Sequence, residues 1–339
     1  MLSLVVPLYK SEANLAELFR ELAQLAGALE IPMEVIFVVD GSPDRCAAVL
    51  AECAPRFPFA CRVIELSRNF GAFAAIAAGL HHGQGEMFAV LAADLQEPPE
   101  LIVEFVNVLS SGSADVVFGA RSTRSDPFLS SIASQLFWRL YRATVAKDFP
   151  PGGVDIFACT KQVRDVIISL PEVDSSLIGL LFWIGFRRAF IPYARRARTA
   201  GESAWTLGKK LRYAANSVFG FTDLPVRVLL TTGSIAALVA IGLGITVGVS
   251  RISGLIEVPG YAATVTSVLF FGGVTSFGLG IIGQYLWITL QNARRRPLFI
   301  VRSASSFLPS ATRAAQDGVG LNRKTHAGQT NSPRSSQET

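Results

Sequence analysis

Short apolar runs alternate along the first third of the chain with longer stretches whose apolar positions recur every three to four residues. SLVVPLY (residues 3–9), MEVIFVVD (33–40), CRVIELS (61–67), EMFAVLAAD (86–94) and ADVVFGAR (114–121) are each short and rich in Val, Ile and Phe. That composition and length predict strands. Between them, residues 13–29, a stretch reaching residue 49, residues 72–82 and residues 99–109 carry the helical period. Strands alternating with helices predict an α/β domain built on a mostly parallel sheet with helices on both faces. Such sheets bind ligands at the carboxyl ends of their strands. Tyr9, Asp40, Ser67, Asp94 and Arg121 fall at those ends.

The pattern changes in the second half. Residues 228–250 carry no charge, and neither do residues 258–293. Each run exceeds the roughly 20 residues that a helix needs to cross a ~30 Å hydrocarbon core, so two transmembrane helices are expected. Eight glycines within them, at positions 233, 242, 244, 272, 273, 278, 280 and 283, predict close helix packing and make self-association an expectation. Lys209, Lys210, Arg212 and Arg227 precede the first run, and Arg294, Arg295, Arg296 and Arg302 follow the second. The connecting loop holds Arg251 and Glu257. By the positive-inside rule both flanks are cytoplasmic, which predicts a multi-pass protein of the inner membrane with its sheet domain in the cytoplasm. Met1 leads directly into the first strand, so no cleavable leader is expected.

The implied organisation is a sheet domain over residues 1–174, juxtamembrane segments over 175–226, two spans over 227–291, and a basic segment with a disordered tail over 292–339. Residues 175–188 (SSLIGLLFWIGFRR) are too short to span. They suit the headgroup boundary, with a buried core helix as the alternative. Residues 205–221 form a second amphipathic stretch, and from residue 303 onward Ser, Thr, Gln and Arg replace apolar residues.

Composition adds further constraints. Half of the 339 residues are apolar and the mean hydropathy is +0.40, more than a purely soluble domain needs. The net charge of +5 points to an anionic partner. Because the basic residues cluster beside the spans, lipid headgroups and lipid phosphates fit better than nucleic acid. Cys46, Cys53, Cys61 and Cys159 lack C-x-x-C spacing and read as ordinary buried thiols. With three histidines, at 81, 82 and 326, neither a Ser-His-Asp triad nor a histidine metal cluster is expected. A Walker A sequence and a G-x-G-x-x-G after a strand are also missing.

The chemistry therefore rests on strand-end acids and bases: VVPLYKSE, VVDGSPD, SRNFG, AADLQEPPE and GARSTRSD, followed by RRARTAGESAW (195–205) and GQYLWITLQNARRRPLFIV (283–301). Taken in order over about residues 1–302, these resemble the family-2 glycosyltransferases with a GT-A nucleotide-sugar domain. Within that family they are similar to the polyprenyl-phosphate branch of bactoprenol glucosyltransferases and dolichol-phosphate mannose synthases. The resemblance implies that Pro7, Tyr9, Glu12 and Asp40 line the nucleotide pocket. It places Asp94 and Gln96 beside a Mg²⁺ or Mn²⁺ ion, with Asp94, Arg121 and Arg198 as catalytic residues. Ser134, Arg195 and Arg198 would hold the acceptor phosphate.

Plainer roles stand beside these: strand-end packing for Pro7 and Tyr9, a helix-start acid for Glu12, a solvated or lipid-facing patch for the arginines. Val39, Ala92 and Ala204 stand where the family usually has Asp, Asp and Lys. One carboxylate is nonetheless compatible with Mg²⁺, which often takes one or two and fills its shell with water and substrate phosphates. The implied reaction is inverting transfer of a sugar, expected to be a hexose carried on UDP, from the nucleoside diphosphate to polyprenyl (undecaprenyl) phosphate. The alternatives are a non-catalytic subunit binding sugar nucleotide or lipid phosphate, and a processive polysaccharide synthase.

Overall fold

The structure is a computed structural model that describes residues 1–121, 149–150, 153–170, 177–196, 224–253 and 260–309. Its strands are β1 (Leu2–Leu8), β2 (Met33–Val39), β3 (Ala60–Leu66), β4 (Met87–Val90), β5 (Val116–Arg121), β6 (Val154–Thr160), β7 (Arg188–Tyr193) and β8 (Val301–Phe307). The helices are α1 (Leu15–Ala28), α2 (Cys46–Cys53), α3 (Ala72–His82), α4 (Glu100–Ser110), α5 (Lys161–Ser169), α6 (Leu177–Trp183), α7 (Leu224–Ile252) and α8 (Tyr261–Ala293). All eight strands form one sheet in the order β7-β5-β6-β4-β1-β2-β3-β8. β4, β1, β2 and β3 run parallel, as do β5 and β7, while β6 and β8 are antiparallel to their neighbours.

Period-two alternation divides the core into two layers. Leu4, Val6 and Leu8 of β1 and Val35, Phe37 and Val39 of β2 face one side, against the leucines of α1 and Leu101, Ile102 and Phe105 of α4. Val5, Ile36 and Val38 face the other, against α3, α5 and α6. A sheet covered on both faces needs apolar residues at both parities, which is why these strands read as nearly continuous apolar runs. Helix α3 comes so close to β1 that a Cβ on Gly79 would lie 2.2 Å from a Val5 methyl.

Three expectations about organisation are corrected. Helix α6, expected at the lipid boundary, is instead buried: Phe182 stacks on Phe118 at 4.8 Å, and of the helix's aromatics Trp183 is the exposed one. Residues 188–193, expected as a juxtamembrane segment, extend the sheet as β7. Ser303–Phe307, expected within a disordered tail, belong to β8 and pair antiparallel with β3 from Cys61 to Glu65. The sequence hides β7 and β8 because both lie at sheet edges. Pro192 is tolerated on an edge, and the outward positions of VRSASSF are free to be polar.

Strand β8 returns the chain from the end of α8 into the sheet, so removing it strips β3 of its edge partner. A chain truncated after Ile300 is expected to lose about 2–4 kcal/mol of sheet-domain stability from unpaired backbone groups and uncovered apolar surface. An unchanged thermal midpoint of that variant against the full chain would contradict the structural role of β8.

Helices α7 and α8 are long and apolar enough to cross a membrane, with mean hydropathy 2.2 over Leu224–Val247 and 1.2 over Phe270–Ala293. Leu230, Leu238, Ile245, Phe277 and Leu279 are all at least 60% exposed, so the chain does not bury these helices in its own core. Packing through the glycines holds at one position. A Cβ on Gly278 would sit 3.0 Å from Leu229, whereas at the other seven span glycines it would meet nothing within 4 Å.

Candidate active site

Parallel pairing of β4, β1, β2 and β3 brings their carboxyl ends to one edge. Leu8 is in register with Val39, Asp40 N–H donates to Leu8 O at 2.9 Å, and Leu91 N–H donates to Val5 O at 3.0 Å. The loops after these strands are held to each other by side chains. Lys10, in the left-handed region at φ +53°, donates its N–H to Ser42 Oγ at 2.7 Å. Its ammonium sits 5.7 Å from the centre of the Tyr9 ring, which is 38% exposed at the strand end. Pro7 lies one step inside, half-buried.

Glu12, one of the sequence-selected acids, is occupied with loop architecture together with Asp44. Glu12 accepts from Arg45 N–H at 2.9 Å, while Asp44 accepts from Glu12 N–H at 3.0 Å, a reciprocal link between the β1 and β2 loops. Burial alone would raise the Asp44 pKa. Hydrogen bonds from the Ser42 hydroxyl, the Cys46 thiol and the Glu12 and Cys46 N–H groups outweigh burial and hold the carboxyl below its ordinary value. The Cys46 thiol is pushed up to about 12, by burial first and then by the Asp44 carboxylate it donates to.

Asp40 is 3% exposed, and its two carboxylate oxygens accept from Phe70 N–H at 2.7 Å and Gly71 N–H at 2.8 Å, at the start of α3. Burial pushes its pKa up, and the two N–H groups with the nearby Arg68 charge return part of the shift. Asp40 thus holds the SRNFG loop in shape. Gly41, at φ +55°, lets that loop close in, because a Cβ there would lie 2.3 Å from the Arg68 carbonyl carbon. Arg68 lies over the Phe70 ring at 3.9 Å. Sequence reasoning gave Asp40, Glu12 and Asp44 no such tasks. The available signal was D-G-S-P-D after a strand, a turn rich in residues that bond their own backbone.

After β4 the chain turns sharply at Leu95, whose φ of +51° is unusual for a leucine. Its buried side chain, 5% exposed, anchors the turn. The turn leaves Asp94 half-buried at the strand edge, with Gln96 N–H 3.4 Å from its Oδ1. Arg195, two residues beyond β7, reaches across to this turn. It donates to Gln96 Oε1 at 2.6 Å, and its Nε lies 3.7 Å from the buried Glu97 carboxylate. Next to it, Arg196 N–H donates to Gln96 O at 2.8 Å and its guanidinium binds Glu100 at 3.0 Å. The structure therefore brings Asp94, Gln96 and Arg195 together. Arg121, the last residue of β5, is in register with Tyr193, so it and Arg195 leave the same edge from adjacent strands. Ser134 and Arg198 lie outside the described residues, as do Ala204, Lys209 and Lys210.

Among the described residues no three His, Cys, Asp or Glu side chains cluster as a metal cage. Gln96, expected beside the ion, gives its side-chain oxygen to Arg195. Of the two residues expected beside the ion, Asp94 is the carboxylate, and one carboxylate at a strand end fits Mg²⁺ or Mn²⁺ delivered with a diphosphate rather than a high-affinity cage of protein ligands. The four cysteines are free thiols, three buried and Cys53 half-buried, and complete burial pushes the Cys159 thiol up to about 12.

A mostly parallel α/β sheet with acids and arginines at one strand edge, followed by two long apolar helices, is a GT-A fold carried on membrane-type helices. The chain belongs to glycosyl transferase family 2, whose model matches residues 3–167. An uncharacterized glycosyltransferase of Synechocystis, sll0501, is 33% identical over 88% of this chain and 94% of its own length. A prophage bactoprenol glucosyl transferase homolog of Escherichia coli is 28% identical over 89% of this chain and 98% of its own. Among solved structures, glucosyl-3-phosphoglycerate synthase from Mycobacterium tuberculosis, in complex with Mn²⁺, UDP and phosphoglyceric acid, aligns with a TM-score of 0.44. Its identity is 15%, over 65% of this chain and 76% of that one.

Proposed function

We propose that this glycosyltransferase moves a hexose from UDP to polyprenyl phosphate at the cytoplasmic face of the inner membrane, inverting the anomeric centre. The observation that carries the reading is the route of the chain: the second apolar helix ends at Ala293 and within eight residues has become a strand of the catalytic sheet. So short a tether keeps the strand-end site within reach of a lipid acceptor. Relatives named bactoprenol glucosyl transferase, matched over nearly their whole length, support the same acceptor class.

The residues divide the work along the strand edge. Tyr9 offers an exposed ring for a base to stack on, beside the Lys10 ammonium. Arg68, in the loop that Asp40 organises, supplies a further cation near the end of β2. Asp94 with the donor's phosphates would hold Mg²⁺ or Mn²⁺, which when bound neutralises charge on the departing diphosphate. Arg195, with Arg121 and Arg198, draws the acceptor phosphate into line. That phosphate is already an anion at neutral pH, so the attacking oxygen needs no general base. The bond formed joins the anomeric carbon to the lipid phosphate oxygen; the bond broken releases UDP.

Supplying a panel of nucleotide sugars with undecaprenyl phosphate and weighing the product identifies donor and sugar. A hexosyl lipid phosphate from a UDP donor is expected, and product from another nucleotide alone would overturn the donor assignment. Orientation has its own test. Ser253→Cys, in the loop between the spans, is expected to react in intact cells with a membrane-impermeant thiol reagent, whereas the half-buried Cys53 is not. Labelling of Cys53 with Ser253→Cys protected would reverse the topology.

A further inference from the structure

A groove of about 890 Å³ lies away from the strand-end site, where the end of α8 meets the outer surfaces of α3 and α5. Its walls are mostly apolar: Ala77 of α3, Ile167, Ile168 and Leu170 of and after α5, and Leu298 and Phe299 beyond α8, with Thr289 and Asn292 of α8 adding polar groups. His81, Arg295 and Arg296 line it too, and among the described residues no carboxylate does. None of the residues assigned to the sugar-transfer site contributes. Helix α3 begins at the strand ends beside Asp40 and runs away from them, so His81 is about 15 Å further on at 1.5 Å per residue.

The arginines are placed there by a specific bend. Helix α8 closes with Arg294 N–H donating to Leu290 O at 3.0 Å, and Arg295 then takes the left-handed conformation at φ +46°, donating to Asn292 O at 3.2 Å. Glycine is the usual occupant of that position, where a side chain adds strain. Pro297 then turns the chain toward β8, with Phe299 packing 6.2 Å from the His81 ring.

We propose that this groove binds the headgroup and glycerol backbone of an anionic phospholipid from the surrounding bilayer. The inference rests on α7 and α8 lying in the membrane as proposed above. Apolar walls accept the first acyl carbons, and the arginine forks and imidazole meet the phosphodiester. The groove opens beside the last turn of the second span, at headgroup depth, and its volume is that of an ordinary ligand pocket. A bound lipid bridges α8 to α3 and so fixes the sheet domain at one height over the membrane.

The test is native mass spectrometry of the full chain, released from membranes and titrated with phosphatidylglycerol or phosphatidylcholine. Phosphatidylglycerol is expected to be retained at concentrations at least about tenfold lower, the scale of one charge-assisted phosphate contact. The double variant Arg295→Gln/Arg296→Gln, at exposed positions, is expected to erase that preference, and Arg302→Gln on β8 to keep it. Ala77→Trp keeps every charge but fills the groove, and is expected to reduce retention of both lipids. Equal retention of the two lipids, a preference surviving in the double variant, or full retention by Ala77→Trp would overturn the proposal. One-for-one displacement of phosphatidylglycerol by polyprenyl phosphate would also overturn it, by assigning the groove to the acceptor. The spans are read separately, by whether the chain stays with carbonate-washed membranes.

Discussion

Asp94→Asn is expected to lower sugar transfer at least about a hundredfold while leaving the fold intact. The substitution preserves shape and removes the charge. Its cost is that of losing one stabiliser of developing charge, about 3 kcal/mol in the barrier. Asp94 stands half-buried where β4 gives way to the strained Leu95 turn, and Gln96 gives its side-chain oxygen to Arg195. Gln96→Ala is expected to cost less and to act through Arg195, which it positions. Turnover of both variants across a Mg²⁺ and a Mn²⁺ titration separates the two roles. Near-normal, metal-dependent turnover by Asp94→Asn would remove Asp94 from the metal.

Gly41→Ala is expected to destabilise the sheet domain strongly. At φ +55° an alanine adds strain, and its Cβ would lie 2.3 Å from the Arg68 carbonyl carbon and 2.4 Å from Asn69 N, so backbone has to move. Together these cost about 2–4 kcal/mol, and the thermal midpoint of the sheet domain falls by roughly 5–15 °C. The displaced segment is the one whose N–H groups bind Asp40, so nucleotide affinity is expected to fall as well. An unaltered midpoint with unaltered nucleotide affinity would show that the loop is not held as described.

The strands β1 to β5 and the helices α1, α3 and α4 were legible because burial on both sheet faces leaves an unbroken apolar run, and helix amphipathicity leaves its own period. Helix α3 was legible to the residue, over 72–82. Strand β4 ended four residues earlier than its apolar run, at Val90, because Leu91 to Asp94 already belong to the turn that Leu95 completes. The edge strands β7 and β8 were hidden by the freedom of an edge to carry Pro192 or Ser305. The buried helix α6 was misplaced because an apolar heptapeptide looks alike against lipid and against a sheet.

At the site, residue types could be picked out but not their employment. Asp40 and Glu12 look like ligand-binding acids in the sequence, and backbone N–H groups occupy them in the fold. Conversely, the contact of Arg195 with Gln96 joins residues 99 positions apart, and no local pattern announces it. The resemblance to family 2 was legible in the order of the motifs. The division of labour among the acids needed the three-dimensional arrangement.

The central claim is that a lipid phosphate accepts the sugar. Release of UDP from a UDP-hexose by the purified full chain, followed with and without polyprenyl phosphate, tests it most directly. UDP release that appears with the lipid phosphate, matches hexosyl lipid phosphate mole for mole, and is absent with the dephosphorylated alcohol is the predicted result. Release at the same rate without the lipid, or transfer to the alcohol as readily as to the phosphate, would contradict the account.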